Sequence, residues 1–320
     1  MTRDTLEHHQ IAVYFAAVVL AGALGLLAPS LAQGRAWVTP AIAVLMYAMF
    51  LQIPFLDLRQ GLSHRRFLGA LLLANFILIP LLVWALSRSL TGHPAILAGA
   101  LLVLLTPRID YVVVFTHIGQ GDSRRMLAAT PVLLLLQLAL LPVYLGVMSG
   151  EQSQVVVSAG PFVEAFLLLI IAPMLLAVLT AALSRHSRGI RAWSEAWAWL
   201  PVPAMALVLM VVIGSQIATV VSEIERLLPV IPVYAGFVLL APVAGALAAG
   251  VFRLPAAAAR AVTFSAATRN SLVVLPLALA LPEDIRGLAA AAVILQTLLE
   301  LVAELVYIRL LPRWVWPAGR

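Results

Sequence analysis

The chain has 320 residues, 63% hydrophobic and only 11% charged, with a formal net charge of +6 and a mean hydropathy of +1.06. Soluble globular domains carry roughly 25% charge, so this balance excludes a soluble fold and belongs to a polytopic membrane protein. The absence of cysteine excludes disulfides, thiolate metal sites and thiol redox chemistry, and in such a chain the basic surplus marks cytoplasmic loops rather than a nucleic-acid surface.

The first apolar run begins at Ile11, behind Glu7, His8 and His9 rather than a basic leader, and reads as a retained span instead of a signal peptide. Further apolar runs lie near 37–56, 67–87, 94–118, 126–148, 161–183, 199–220, 229–250, 261–281 and 287–308. Each is close to the ~20 residues that cross a hydrocarbon core of ~30 Å. The longest connection, around SRHSRGIRAWSEAW, is short and leaves no room for a soluble domain. With the N-terminus in the cytoplasm, 14 of the 20 arginines fall in inner segments and 4 in outer loops, leaving Arg108 and Arg269 inside spans. That bias puts both termini in the cytoplasm.

Span four contains TPRIDYVVVF. Pro107 removes a backbone donor and disfavours helix at Thr106, so this span is predicted to be interrupted there. Span nine contains ATRNSLVVLP, where Thr268, Arg269, Asn270 and Ser271 make an equally poor helix centre. Laid on each other, the two stretches put Arg108 on Arg269 and Asp110 on Ser271. Spans five (LLLQLALLP) and ten (VILQTLLEL) likewise match Gln137 with Gln296. Ten spans then divide into two five-helix repeats, about 1–150 and 151–320, which enter the membrane from opposite sides within a single transmembrane domain.

An arginine at mid-membrane costs from ~3 to over ~10 kcal/mol and faces a bundle interior or a wet cavity. Two of them at matching breaks, beside half-helix ends, suit an anion. The candidate binding residues are Arg108, Arg269, Thr106, Asp110, Asn270 and Ser271, with Pro107 as the helix break. Glu300, Asp110, Gln137 and Gln296 are candidates for a coupled proton or cation. Glu304, one turn beyond Glu300, reads as solvated near the cytoplasmic end or paired with Arg309. The other reading of both arginines is a set of internal ion pairs that lock the bundle, and the two can coexist. No HExxH, GxSxG, paired-aspartate motif or phosphate-cradling glycine loop is present, so neither an enzyme, a cofactor nor a metal site is expected.

PRIDYVVVFTHIGQGD, closing on the Gly119–Asp122 turn, resembles span four of the arsenical-resistance (arsenite efflux) transporters, which share a superfamily with the bile acid:sodium symporters. FSAATRNSLVVLPLALALPED and VILQTLLELVAELVYIRLLPR resemble the last two spans of that superfamily. The resemblance implies ten helices: a core of spans 3–5 and 8–10, with four and nine discontinuous and crossing, and a panel of spans 1, 2, 6 and 7. It implies secondary active transport by alternating access in a plasma membrane, by export or symport. Arg108 stands where the arsenite exporters carry cysteine. A hard guanidinium suits a charged arsenical better than soft, neutral arsenite. Ser265 and Arg269 stand where the sodium symporters carry glutamate and glutamine, which favours a coupling proton over sodium. An arsenical anion is therefore the expected solute. A small organic anion such as a carboxylate is the alternative, and a non-transporting sensor or structural membrane protein is the alternative of another class.

Overall fold

The computed structural model describes residues 10–27, 35–53, 64–109, 112–149 and 160–315. Asp110 and the residues ahead of the first span lie outside the described residues. The described chain is helical between short connections, and its sole extended pairing is an isolated antiparallel bridge between Pro107 and Arg269.

In chain order the helices are α1 (Gln10–Leu27), α2 (Arg35–Phe50), α3 (Arg65–Leu90), α4 (Pro94–Leu104), α5 (Val112–Ile118) and α6 (Ser123–Met148). α7 follows as Gly160–Phe166, a π turn at Leu167–Ile171 and Ala172–Ser184. Then come α8 (Arg188–Trp197), α9 (Pro201–Ser222), α10 (Ile224–Val251), α11 (Ala256–Ala267), α12 (Ser271–Leu279) and α13 (Glu283–Leu310). Every predicted apolar segment contains helix. Among the described residues, five helices can each cross a membrane by length and composition: Arg65–Leu90, Ser123–Met148, Val163–Ser184, Ile224–Val251 and Glu283–Arg313. A sixth span results if α8 and the start of α9, bent by 47°, count as one. The SRHSRGIRAWSEAW connection is itself largely helical. Ser187 caps it through the Ile190 N–H, and Arg188–Trp197 is helical with no buried residue.

The helices form two compact units, one within Met1–Leu56 and Gly160–Glu225, the other within Asp57–Ala159 and Arg226–Arg320. Each takes segments from both halves of the chain, in the grouping the resemblance implies for panel and core. In the first unit α9 packs on α1 and α2, and α7 on α2 and α8. The Tyr47 hydroxyl joins Thr180 Oγ1 at 3.0 Å and accepts the Trp193 indole N–H at 3.2 Å. Leu20, Leu175 and Leu179 are more than half exposed, as side chains facing lipid are.

The second unit holds every described polar group of the candidate site. α13 lies along α4, and α10 along α11, at distances set by small residues. A side chain at Gly99 would strike the Ala289 carbonyl, and one at Gly245 would strike Thr263 and Ala266. Ala289, Ala290, Ala291 and Ala292 are all fully buried, so α13 presents a smooth face that lets α4 approach. At the other end, the Gly119–Asp122 turn carries Gln120 at a φ of 56° and delivers Asp122 as the cap of α6, accepting the Arg125 N–H at 3.0 Å. Arg260 Nη1 donates to the Gln120 carbonyl at 2.9 Å, tying this turn to α11.

Candidate functional site

Two interrupted helices meet at the centre of the second unit. α4 stops at Leu104 ahead of Pro107, and α11 stops at Ala267, where Thr268 turns extended. Thr106 Oγ1 donates to the Leu102 carbonyl at 2.7 Å and Thr268 Oγ1 to the Phe264 carbonyl at 2.9 Å. The Thr106 hydroxyl thereby fills the Leu102 carbonyl, whose helical partner, the Thr106 N–H, turns to Val103 instead, while the Phe264 carbonyl accepts both the hydroxyl and the N–H of Thr268. Between the breaks, the Asn270 N–H donates to the Thr106 carbonyl at 2.8 Å and the Arg108 N–H to the Thr268 carbonyl at 3.4 Å. Pairing one break with the other fills backbone needs that lipid cannot meet. These bonds set Pro107 opposite Arg269, with Thr106 across from Asn270 and Arg108 across from Thr268 in an antiparallel register. Runs of Leu, Val and Ala cannot define a register to one residue; directional backbone bonds can.

Arg108 is 1% exposed. Its Nη2 lies 2.6 Å from Glu300 Oε1, its Nε donates to the Arg269 carbonyl at 2.9 Å, and Glu304 Oε1 is 3.9 Å from that Nε. Glu300 Oε2 accepts the Arg269 N–H at 2.8 Å and the Gln296 amide at 2.6 Å. Glu304 is not solvated near a helix end: it is fully buried and faces Arg108. One turn separates it from Glu300, so both carboxylates share one face of α13. With Arg269 they make a buried set of two guanidiniums and two carboxylates whose formal charges cancel.

The Arg269 side chain leaves in another direction. Its Nη2 donates to Asn75 Oδ1 at 2.9 Å and to the carbonyls of Ser265 at 2.8 Å and Ala266 at 2.6 Å. Nη1 reaches the Leu104 carbonyl at 3.5 Å, and the Phe237 ring lies 5.5 Å from the guanidinium carbon. The guanidinium thus closes the C-terminal ends of both α4 and α11, where the helix dipoles are negative. Asn75 sits in a π turn of α3 at Ala74–Leu78, a distortion common at functional sites. Its amide donates to Ser265 Oγ at 3.0 Å and to the Leu71 carbonyl at 3.1 Å, which leaves Oδ1 for the arginine.

Of the residues predicted from sequence, the structure gathers Thr106, Pro107, Arg108, Arg269, Asn270, Ser271, Gln296 and Glu300 around the crossing. Gln137 is buried on α6 and its amide meets no hydrogen-bond partner. Asn270 Nδ2, Ser271 Oγ and Gln296 Oε1 are likewise buried without a protein partner, although Asn270 Oδ1 caps α12 through the Val273 N–H at 3.3 Å. Two participants escape a reading of motifs: Glu304, and Asn75. The signal for Asn75 is its place as the lone amide in LLLANFILIP.

Residues 39–223, more than half of the chain, match the model of the Sodium Bile acid symporter family. The chain belongs to that family. Membership, with the apolar helices, makes it a multi-pass membrane protein of bile acid symporter type that handles a small-molecule solute. The matched stretch of the symporter family includes Arg108 and ends before Arg269 and Glu300. No curated protein matches the sequence.

Proposed function

We propose that the protein is a secondary active transporter that carries a small anionic solute by alternating access, with Arg108 as its anion-binding group. The observation that carries this reading is the crossing itself, where one buried arginine is shared by two carboxylates beside amides and a hydroxyl that have no protein partner. Buried polar atoms without partners are rare in folded proteins. Asn270 Nδ2, Ser271 Oγ and Gln137 are the available donors for an oxyanion, and the start of α12 adds the positive end of a helix dipole. The ten apolar segments act as ten spans in two inverted repeats, in a plasma membrane with both termini in the cytoplasm, as the arginine distribution supports.

Charge balance selects the coupling ion. The set of Arg108, Arg269, Glu300 and Glu304 is neutral, so an anion arriving at Arg108 leaves one negative charge in excess. A proton taken up by the Glu300–Glu304 pair, with Asp110 as a further carrier, restores neutrality in a region where net charge is costly. A charged arsenical fits first and a small carboxylate second, since both offer oxygens to a guanidinium, whereas neutral arsenite offers it no charge.

Flux into proteoliposomes, with proton and sodium gradients imposed separately, tests the reading against arsenate, methylarsonate, arsenite and small carboxylates. An anion that moves with the proton gradient, and stops moving in Arg108→Gln reconstituted at an equal level of folded protein, is the expected result. No flux of any anion, with Arg108→Gln harming only stability, would instead make the arginines internal locks of a non-transporting protein. Carboxylates moving in place of arsenicals would reassign the solute and keep the site.

A further inference from the structure

The cage around Arg269 has more oxygen than a guanidinium needs. Its Nη2 carries two hydrogens, yet three oxygens lie within 2.9 Å of it, from Asn75, Ser265 and Ala266. A fourth, from Leu104, reaches Nη1 at 3.5 Å. All four are neutral carbonyl or amide oxygens, and three belong to the last turns of α4 and α11. Oxygens converging at half-helix C-termini form the kind of shell that replaces the water around an alkali cation. Asn75 strengthens the case. Both of its amide hydrogens are directed elsewhere, to Ser265 Oγ and the Leu71 carbonyl, so its Oδ1 is fixed toward the cage as an acceptor.

The electrostatics agree. Without Arg269 the buried set would hold Arg108 against Glu300 and Glu304, one negative charge in excess. Two helix C-termini would face the same space with no cation. From this geometry we infer that the Arg269 guanidinium is a tethered cation, filling an oxygen cage that would otherwise bind an alkali ion and so freeing the protein from any need for bound sodium. The ion implied by the family's description as sodium symporters therefore does not fit this cage as it stands: its oxygens already receive the Arg269 hydrogens. The cation requirement is built into the chain, and Arg269 serves as the cage's own cation rather than as an anion ligand. The claim concerns the cage alone and holds whether or not the transport reading above is right.

The test is thermal unfolding of the full-length protein in detergent, in sodium, lithium, potassium or choline chloride at constant ionic strength. Wild type is expected to unfold at one temperature in all four salts. Arg269→Ala should be destabilised in choline and regain stability saturably with one of the alkali ions, and guanidinium at low millimolar concentration should rescue it as well. Arg269→Gln, which keeps a polar side chain, should show the same dependence with a smaller initial loss. Adding Asn75→Ala to either variant should weaken the rescue at least tenfold in the cation concentration required. Saturable stabilisation of wild type by sodium would overturn the inference, because the cage would then be open to it. So would Arg269 variants that unfold alike in every salt, or that fold in none of them, because a cage able to hold a cation should be refilled by one. Flux is not read in this experiment, so its failure leaves the anion-transport proposal standing, and failure of transport leaves the cage untouched.

Discussion

Removing the Glu300 carboxylate is the sharpest perturbation available at the crossing. It accepts the Arg269 N–H and the Gln296 amide at 2.8 and 2.6 Å and pairs with Arg108 Nη2 at 2.6 Å. A hydrogen bond to a charged group contributes ~1.5–3 kcal/mol, and breaking a buried ion pair costs ~3–5 kcal/mol because the remaining charge stays uncompensated. Glu304 offers limited relief, since it stands 3.9 Å from Arg108 Nε. Glu300→Ala is therefore expected to lose ~3–5 kcal/mol, seen as a fall of roughly 6–15 °C in thermal unfolding followed by tryptophan fluorescence. Glu300→Gln keeps an acceptor for the Arg269 N–H and should lose less. Combining Arg108→Gln with Glu300→Gln removes both charges together, so the double variant should be no worse than the poorer single, a coupling of ~2–3 kcal/mol. Arg286→Ala is the control: it removes an exposed pair with Glu283 at 2.8 Å and should cost under ~1 kcal/mol. Single losses below ~1 kcal/mol that simply add in the double variant would refute the reasoning, for that is how hydrated ions behave.

Three further outcomes are expected. Gly99→Val drives a side chain into the Ala289 carbonyl, where backbone has no room to yield, and should abolish monodisperse protein on size exclusion, whereas Gly22→Ala meets nothing and should be neutral or stabilising by ~0.5–1 kcal/mol. Tyr234→Phe removes the bond from its hydroxyl to the Ala292 carbonyl at 2.9 Å and should cost ~1 kcal/mol in thermal or denaturant unfolding. Ser271→Ala removes a hydroxyl with no protein partner, so unfolding should stay within ~0.5 kcal/mol of wild type while proteoliposome flux of the transported anion falls at least several-fold. Unchanged flux would remove Ser271 from the site.

The apolar helices and the breaks in two of them were legible because the cost of lipid burial is set locally, residue by residue. Hydropathy placed helix in each apolar segment, and Pro107 and the Thr268–Ser271 stretch marked both interruptions. The arginines announced a polar centre for the same reason: a guanidinium in an apolar run demands a partner. Which partner is not a local matter. Glu304 looked like a helix-end carboxylate because its position along α13 says nothing of what the fold packs over it. The Arg269 cage draws Asn75 from 194 positions away and Leu104 from 165, a convergence no periodicity encodes. What the sequence determined alone is therefore a helical membrane chain with two interrupted apolar helices and a charged centre. Tertiary structure decided the rest, including which residues pair across the crossing, the carboxylates that hold Arg108 and the carbonyls that hold Arg269. Hydrophobic burial has no direction and leaves those choices open, whereas hydrogen bonds and ion pairs between distant segments take only one geometry.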